Sequence, residues 1–235
     1  MHAQEHPQRR KYTSFGLWQT LPGANVSRTL ARAGVDWVLV DCEHGNIDAI
    51  AACGVSPIAP PGALDAEAHG ILIPLLRTAD EAKAIVSAAK FPPLGRRGLG
   101  SPFAMESFSP VSTMTEYLQQ ANDSLLTMMQ IETQEAVDNI DKIAAVPAFI
   151  SCHPILNGVM KPELEQALDK VLEATHKAGE KAGFFASSSE QAKKYAEKGF
   201  DMVSAALDTT LLQASLATSL SIARGVALST SGERY

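Results

Sequence analysis

Short apolar runs alternate with amphipathic stretches along almost the whole of this chain, and that alternation is the feature that most restricts its fold. Apolar runs of strand length, each followed by a segment of helical period, are the pattern of βα units on a parallel sheet. The runs predict strands at Ser14–Thr20, Trp37–Asp41, Val55–Ala59, Gly70–Leu75, Leu125–Ile131, Ala148–Ser151, Ala182–Ala186 and Met202–Ala206. Between them, helices are predicted near Asn25–Ala33, Ala79–Ala89, Thr115–Ala121, Gln134–Ala144, Pro162–Ala178, Ser189–Lys198 and Thr210–Ala223. Eight strands with intervening helices predict a (β/α)8 TIM barrel. A doubly wound open sheet would use the same elements, because periodicity does not give strand order.

Local chemistry supports several boundaries. Thr78 followed by Glu81 is a capping-box pattern, and Ser188 followed by Gln191 repeats it. Gly179 and Gly199 suit left-handed helix ends, while Pro162 suits a first helical turn, where its missing N–H costs nothing. Two units are cramped. From Pro57 through Ala63 to Leu64–His69 there is room for barely two turns of helix before the fourth strand, and the sixth strand runs almost at once into His153-Pro154. The third and sixth βα units are therefore expected to be shortened.

A length of 235 residues suits one barrel domain, expected over residues 13–224, with flexible tails at 1–12 and 225–235. Hydrophobic residues at 46% and charged residues at 20% argue against disorder. The net charge of −6 gives no electrostatic reason to bind nucleic acid or an anionic membrane. No apolar run reaches the roughly 18 residues a membrane span needs, and the polar N-terminus lacks a signal-peptide core. Three widely spaced cysteines fit free thiols in a reducing compartment, so a cytoplasmic location is expected.

A barrel places its chemistry where strands end at their C-terminal face. Asp41-Cys42-Glu43-His44 follows the strand at Trp37, and a carboxylate three residues before a histidine can accept a ring N–H and fix the tautomer of a base. Equally, His44 could simply cap a turn. Gln130 and Glu132 end the strand from Leu125 and share a face by alternation, which points both at the interior mouth. A buried Glu132 would need a cation, and carboxylate oxygen suits Mg²⁺ or Mn²⁺; as a helix-starting residue it would need none. Gly95–Gly100, with Arg96 and Arg97, could offer N–H groups to an anion or serve as a structural loop. His69 reads as a packed core histidine and His176 as an exposed residue of a polar helix.

These motifs together resemble the HpcH/HpaI aldolase (citrate lyase-like) family. The resemblance rests on Leu30–Gly45 with its Asp41-Cys42-Glu43-His44-Gly45, on Phe91–Gly100, on Tyr117–Asp123 and on Gln130-Ile131-Glu132-Thr133, with Ala178–Gly183 and Gly199–Val203 following. It extends from Gly16 to about Ala217. It implies a metal-dependent class II aldolase, a carbon–carbon lyase that cleaves a 4-hydroxy-2-oxo acid to pyruvate and an aldehyde. By position, Glu132 would be a metal ligand, Gln130 would line the substrate site, and His44 with Asp41 would serve proton transfer. The metal would be Mg²⁺ or Mn²⁺, with Co²⁺ or Zn²⁺ as alternatives, and the partners a small 2-oxo acid and further copies of the chain in a homo-oligomer. Glu43 is assigned to local structure.

Two stretches depart from the family pattern. The family carries an arginine after the third strand, where this chain reads Pro57-Ile58-Ala59-Pro60-Pro61, and a metal-ligating aspartate after the sixth, where it reads Ser151-Cys152-His153-Pro154. Cys152 or His153 could stand in as a ligand, and Arg77, Arg96 or Arg97 as a charge. The alternative function is a catalytically impaired relative acting as a binding or assembly subunit.

Overall fold

The structure, a computed structural model, describes residues 12–45, 47, 60–106, 110, 112–152 and 162–225. Seven parallel strands form one sheet: β1 (Ser14–Gln19), β2 (Trp37–Val40), β3 (Gly70–Ile73), β4 (Leu126–Ile131), β5 (Phe149–Cys152), β6 (Ala182–Phe185) and β7 (Met202–Leu207). Their order is β2-β1-β7-β6-β5-β4-β3. The first strand therefore pairs with the last, which an open doubly wound sheet does not do. The two unpaired edges, β2 and β3, flank in sequence the strand expected at Val55–Ala59, which lies outside the described residues. Side chains of β1, β2, β3, β4 and β7 surround one small interior cavity lined by Trp18, Trp37, Leu39, Leu72, Met128 and Met202. The sheet is thus curled on itself in the manner of a (β/α)8 barrel.

Alternation along each strand sorts side chains between this interior and the helical layer. Gly16 is paired with Trp37, and a Cβ at Gly16 would overlap the Trp37 indole, so only glycine lets that ring lie across β1. On the outer side, Met129, Ile131, Ile150, Phe184 and Val203 join a continuous core with residues of the covering helices. Phe184 stacks on Tyr195 with centroids 3.7 Å apart.

The helices are α1 (Ala24–Ala31), α2 (Pro60–Asp65), α3 (Ala79–Ala89), α4 (Met114–Ser124), α5 (Gln134–Asp138), α6 (Ile140–Ala144), α7 (Pro162–Lys177), α8 (Ser189–Lys198) and α9 (Asp208–Ala223). The Thr78–Glu81 capping box forms at the start of α3, and an equivalent Thr113–Glu116 box starts α4. At α8 only half of the expected box forms. Ser188 accepts from Gln191 N–H, but the Gln191 side chain reaches back to Ser187 instead. Gly179 and Gly199 take the left-handed conformation, as expected. The short α2 agrees with the cramped third unit.

The single helix expected over Gln134–Ala144 is divided at Asn139, whose φ of −92° and ψ of 4° leave the helical well. Its side-chain amide donates to the Arg77 carbonyl at 3.2 Å, a contact with a neighbouring loop that competes with continued helix. Two histidines also differ from expectation. His69 is exposed rather than packed, since it stands at the turn into β3 and not within the sheet. His176 is partly buried, because Asp201 draws its Nε2 to 3.0 Å across the N-terminal end of the barrel. Arg97 is buried, donating to Asp65 Oδ1 at 2.7 Å and to the Tyr117 hydroxyl at 3.1 Å, with its guanidinium 4.5 Å from the Phe91 ring centroid. The Gly95–Gly100 loop is therefore held as a structural element there.

Helix α9 stands apart. Asp208 is its one buried residue, while Leu211, Leu212, Leu216, Leu220 and Ile222 are all exposed.

Candidate active site

The C-terminal ends of β2, β4 and β7 bring four acidic side chains to the barrel mouth, each with a different environment. Asp41 follows β2 and is buried. Its Oδ1 accepts the backbone N–H groups of Glu43 and His44, both at 2.9 Å, and its Oδ2 accepts the Trp18 indole N–H at 2.9 Å. Sequence reasoning expected Asp41 to hold the His44 ring. The structure instead has it hold the His44 main chain, because an aspartate at the start of a tight turn is closer to the turn's N–H groups than to an outward-pointing imidazole. Asp41 is thus a positioning residue. Gly45 closes the same turn so tightly that a Cβ would strike the Asp41 carbonyl and the Thr20 backbone.

The acid beside the His44 ring is Glu43, with Oε2 3.7 Å from Nε2. The His44 side chain is 76% exposed and that of Glu43 47%, so both open onto the mouth. Glu43, assigned to local structure from the sequence, lies beside the His44 ring. A repeated odd–even choice at the turn could not have shown this, since the turn abandons strand alternation at Asp41.

Glu132 ends β4 as expected. Its Oε2 accepts the Leu75 N–H at 3.0 Å and its Oε1 the Gln130 side-chain N–H at 3.0 Å. Partial burial holds its carboxyl above the usual carboxylate range; the Leu75 N–H opposes this, the negative charge of Glu43 adds to it and His44 opposes it. The same electrostatic coupling places Glu43 and His44 within range of Glu132. Sequence reasoning required nearness of position 132 to position 44, and the His44 ring is near enough to act on the Glu132 carboxyl. Leu75 has a left-handed φ of 55°, unfavourable for a branched-chain residue, and the bond to Glu132 fixes it there.

Asp208 was missed, because the last strand was ended too early. Its carboxylate is buried and accepts Thr20 N–H and hydroxyl, Leu21 N–H and Thr209 N–H. Burial works against its ionisation, but these donors outweigh it and hold the carboxyl below its usual range. It ties β1 to β7 and is fully engaged. Trp18 was also missed, although its inward parity near the end of β1 was a usable signal.

A partly desolvated carboxylate acted on by a like charge, both at the mouth, fits a bound cation, since a cation would relieve the desolvation of Glu132 and its repulsion by Glu43. Glu132 and Glu43 supply oxygen donors of the kind Mg²⁺ and Mn²⁺ take. Among the described residues no group of three or more His, Cys, Asp or Glu side chains gathers around one point. Cys152 does not supply the missing donor. It lies in the outer core, where burial pushes its thiol up to about 12. His153 lies outside the described residues.

Comparison with known proteins gives the same picture. A family model described as HpcH/HpaI aldolase/citrate lyase matches residues 52–153. A 4-hydroxy-2-oxo-heptane-1,7-dioate aldolase of Salmonella dublin is 34% identical over 226 residues, covering 84% of this chain and 85% of that protein. The chain belongs to the HpcH/HpaI aldolase/citrate lyase family. Among solved structures, a family protein from Burkholderia cenocepacia J2315 superposes with a TM-score of 0.81 at 27% identity, over 91% of this chain and 95% of that one. The HpcH/HpaI aldolase from Desulfitobacterium hafniense DCB-2 gives 0.79 at 27% identity, over 92% and 95%. The family fold is the TIM barrel that the strand order describes. The Salmonella alignment spans 226 residues while engaging only 84% of a 235-residue chain, so the relative carries residues within the aligned stretch that have no counterpart here.

Proposed function

We propose that this protein is a divalent-metal-dependent aldolase that cleaves a 4-hydroxy-2-oxo acid to pyruvate and an aldehyde. The observation that carries the reading is Glu132: a carboxylate at the end of β4, open to the mouth, braced by Leu75 and Gln130 and acted on by His44 and Glu43. Glu132 and Glu43 would hold the cation. Bound there, Mg²⁺ or Mn²⁺ would supply Lewis acidity towards the carbonyl and carboxylate oxygens of the 2-oxo acid.

The remaining roles fall to the chain itself. Gln130 orients Glu132 through its side-chain amide and lines the floor on which the oxo acid rests. The His44 imidazole takes the proton of the substrate's 4-hydroxyl as the C3–C4 bond breaks, releasing the aldehyde, and the same imidazole returns that proton to C3 of the enolate to give pyruvate. Asp41 keeps the turn that presents His44, and the Trp18 indole keeps Asp41. Glu43 supports the imidazole when it carries a proton.

Incubation of the purified protein with 4-hydroxy-2-oxo-heptane-1,7-dioate and Mg²⁺ or Mn²⁺ tests this by pyruvate release. Metal-dependent release that His44→Ala and Glu132→Ala each reduce by at least about a hundredfold supports it. Release no faster than the metal-only background, with Co²⁺ and Zn²⁺ also tried, rejects it. The second reading, a binding or assembly subunit, draws on the engaged state of Asp41 and Asp208 and on the outward burial of Cys152, which leave few free donors. Tight metal-dependent pyruvate binding without turnover in calorimetry would favour it.

We also infer self-association through α9. Its exposed leucines make a surface that a monomer would leave in water. Light scattering should show an oligomer that a Leu212→Glu/Leu216→Glu variant converts to a monomer; a monomeric parent protein refutes this. The few free thiols suit a cytoplasmic setting.

A further inference from the structure

The proposed substrate is an anion, yet the described mouth is rich in carboxylates, so the position of positive charge there is informative. The described loops leaving the C-terminal ends of the strands run through residues 20–23, 41–45, 74–78, 132–133 and 186–188. Arg77 is the one lysine or arginine among them. The other two arginines that might have served are elsewhere. Arg97 is committed to Asp65 and Tyr117, and Arg96 is tied by its backbone to Ser87, near the end of α3 that points away from the mouth.

Arg77 is also held in place from both sides. Its N–H donates to Glu81 Oε2 at 2.8 Å, and its carbonyl accepts from Asn139 at 3.2 Å. Its side chain is exposed, and among the described residues the guanidinium has no hydrogen-bond or ion-pair partner. Two residues earlier, Leu75 N–H is bonded to Glu132. The Arg77 backbone is therefore at most about 7 Å of extended chain from the amide that touches the proposed cation ligand. The loop fixes one end at Glu132 and presents a free cation at its outer end.

We propose that Arg77 is a specificity-determining residue that pairs with a carboxylate at the far end of the substrate, so that the site selects 2-oxo diacids over 2-oxo monoacids. This rests on the aldolase reading for the orientation of the ligand, with the 2-oxo acid end at Glu132 and the leaving aldehyde towards Arg77. A planar guanidinium can take a carboxylate through two parallel N–H groups, which gives it both charge and direction.

The test uses two non-cleavable ligands that differ only at the far end, 2-oxoheptanedioate and 2-oxoheptanoate, titrated by calorimetry into the Mg²⁺-loaded protein. The parent protein should prefer the diacid by about tenfold, falling as salt is raised. In Arg77→Ala that ratio should collapse towards one, and Arg77→Lys should keep part of it. No measurable diacid binding, no preference in the parent protein, or a preference that survives in Arg77→Ala each overturns the proposal. Pyruvate release from 4-hydroxy-2-oxo-heptane-1,7-dioate is measured in parallel. A ligand preference that depends on Arg77 without turnover leaves this inference standing while the aldolase reading fails.

Discussion

The two ends of the barrel treat a carboxylate in opposite ways. At the N-terminal end, Asp201 accepts from Lys181 at 2.7 Å, from His176 at 3.0 Å and from the Ala182 N–H at 3.1 Å. Burial works against its ionisation, but Lys181, the Ala182 N–H and His176 outweigh it, so its carboxyl sits below the usual range. At the mouth, Glu132 has two neutral donors and a like charge nearby, and burial keeps its carboxyl above the usual range. Desolvation acts on both, and more of Asp201 is covered, yet the company decides the direction. A carboxylate whose partners are complete stabilises the fold, whereas one left short of positive charge is available to a ligand.

The sharpest way to break this contrast is a reciprocal pair of substitutions. Asp201→Ala should cost about 2–3 kcal/mol, because it strips a charged acceptor from the Ala182 N–H, Lys181 and His176. That corresponds to a fall in Tm of about 4–12 °C by thermal circular dichroism, with the activity per folded molecule retained. Glu132→Ala should do the reverse, removing activity while Tm holds or rises. If Glu132→Ala unfolds the protein as readily as Asp201→Ala, the two ends are not distinct.

A smaller effect sharpens the same point through pH. A carboxylate whose folded value is raised favours folding when protonated, so ionising Glu132 costs stability as pH rises through its range. A cation would offset that cost only where Glu132 is charged. Saturating Mn²⁺ should therefore raise Tm by a few degrees at pH 7 and by distinctly less at pH 4.5. Equal shifts at both values would place the cation elsewhere.

The smallest effect concerns a surface network. Glu165 on α7 accepts from Lys194, from Lys198 at 2.8 Å and from the Tyr195 hydroxyl at 3.0 Å, and these hold its carboxyl down to about 2. Its contribution is complete above the ordinary glutamate value near 4.3 and is lost as pH falls from there to about 2. Solvent screening limits it to about 1 kcal/mol. Urea titrations of Glu165→Gln and the parent protein should differ by that amount at pH 7 and converge near pH 2.

Much of this architecture was legible in the sequence because the forces concerned are periodic. Strand β4 and helices α3 and α8 lie where apolar spacing puts them, within a residue, and Thr78 caps α3 as its chemistry demands. Glu132 and Gln130 could be placed at the mouth because alternation along a strand is strict. What escaped was set by contacts across the sequence. Asn139 is a weak helix former by itself, but the partner its side chain takes, the Arg77 carbonyl, lies 62 residues away. The role of Asp41 was readable only in part, because its third donor is an indole 23 residues earlier. The left-handed Leu75 likewise owes its conformation to Glu132, beyond any local propensity.

The interior plug has a practical consequence. The chain contains two tryptophans, Trp18 and Trp37, and both line the same cavity inside the barrel. One of them donates its indole N–H to the aspartate that shapes the His44 turn. The protein therefore carries its own optical reporter hydrogen-bonded to the proposed site, and intrinsic emission can follow events at the mouth without any attached dye.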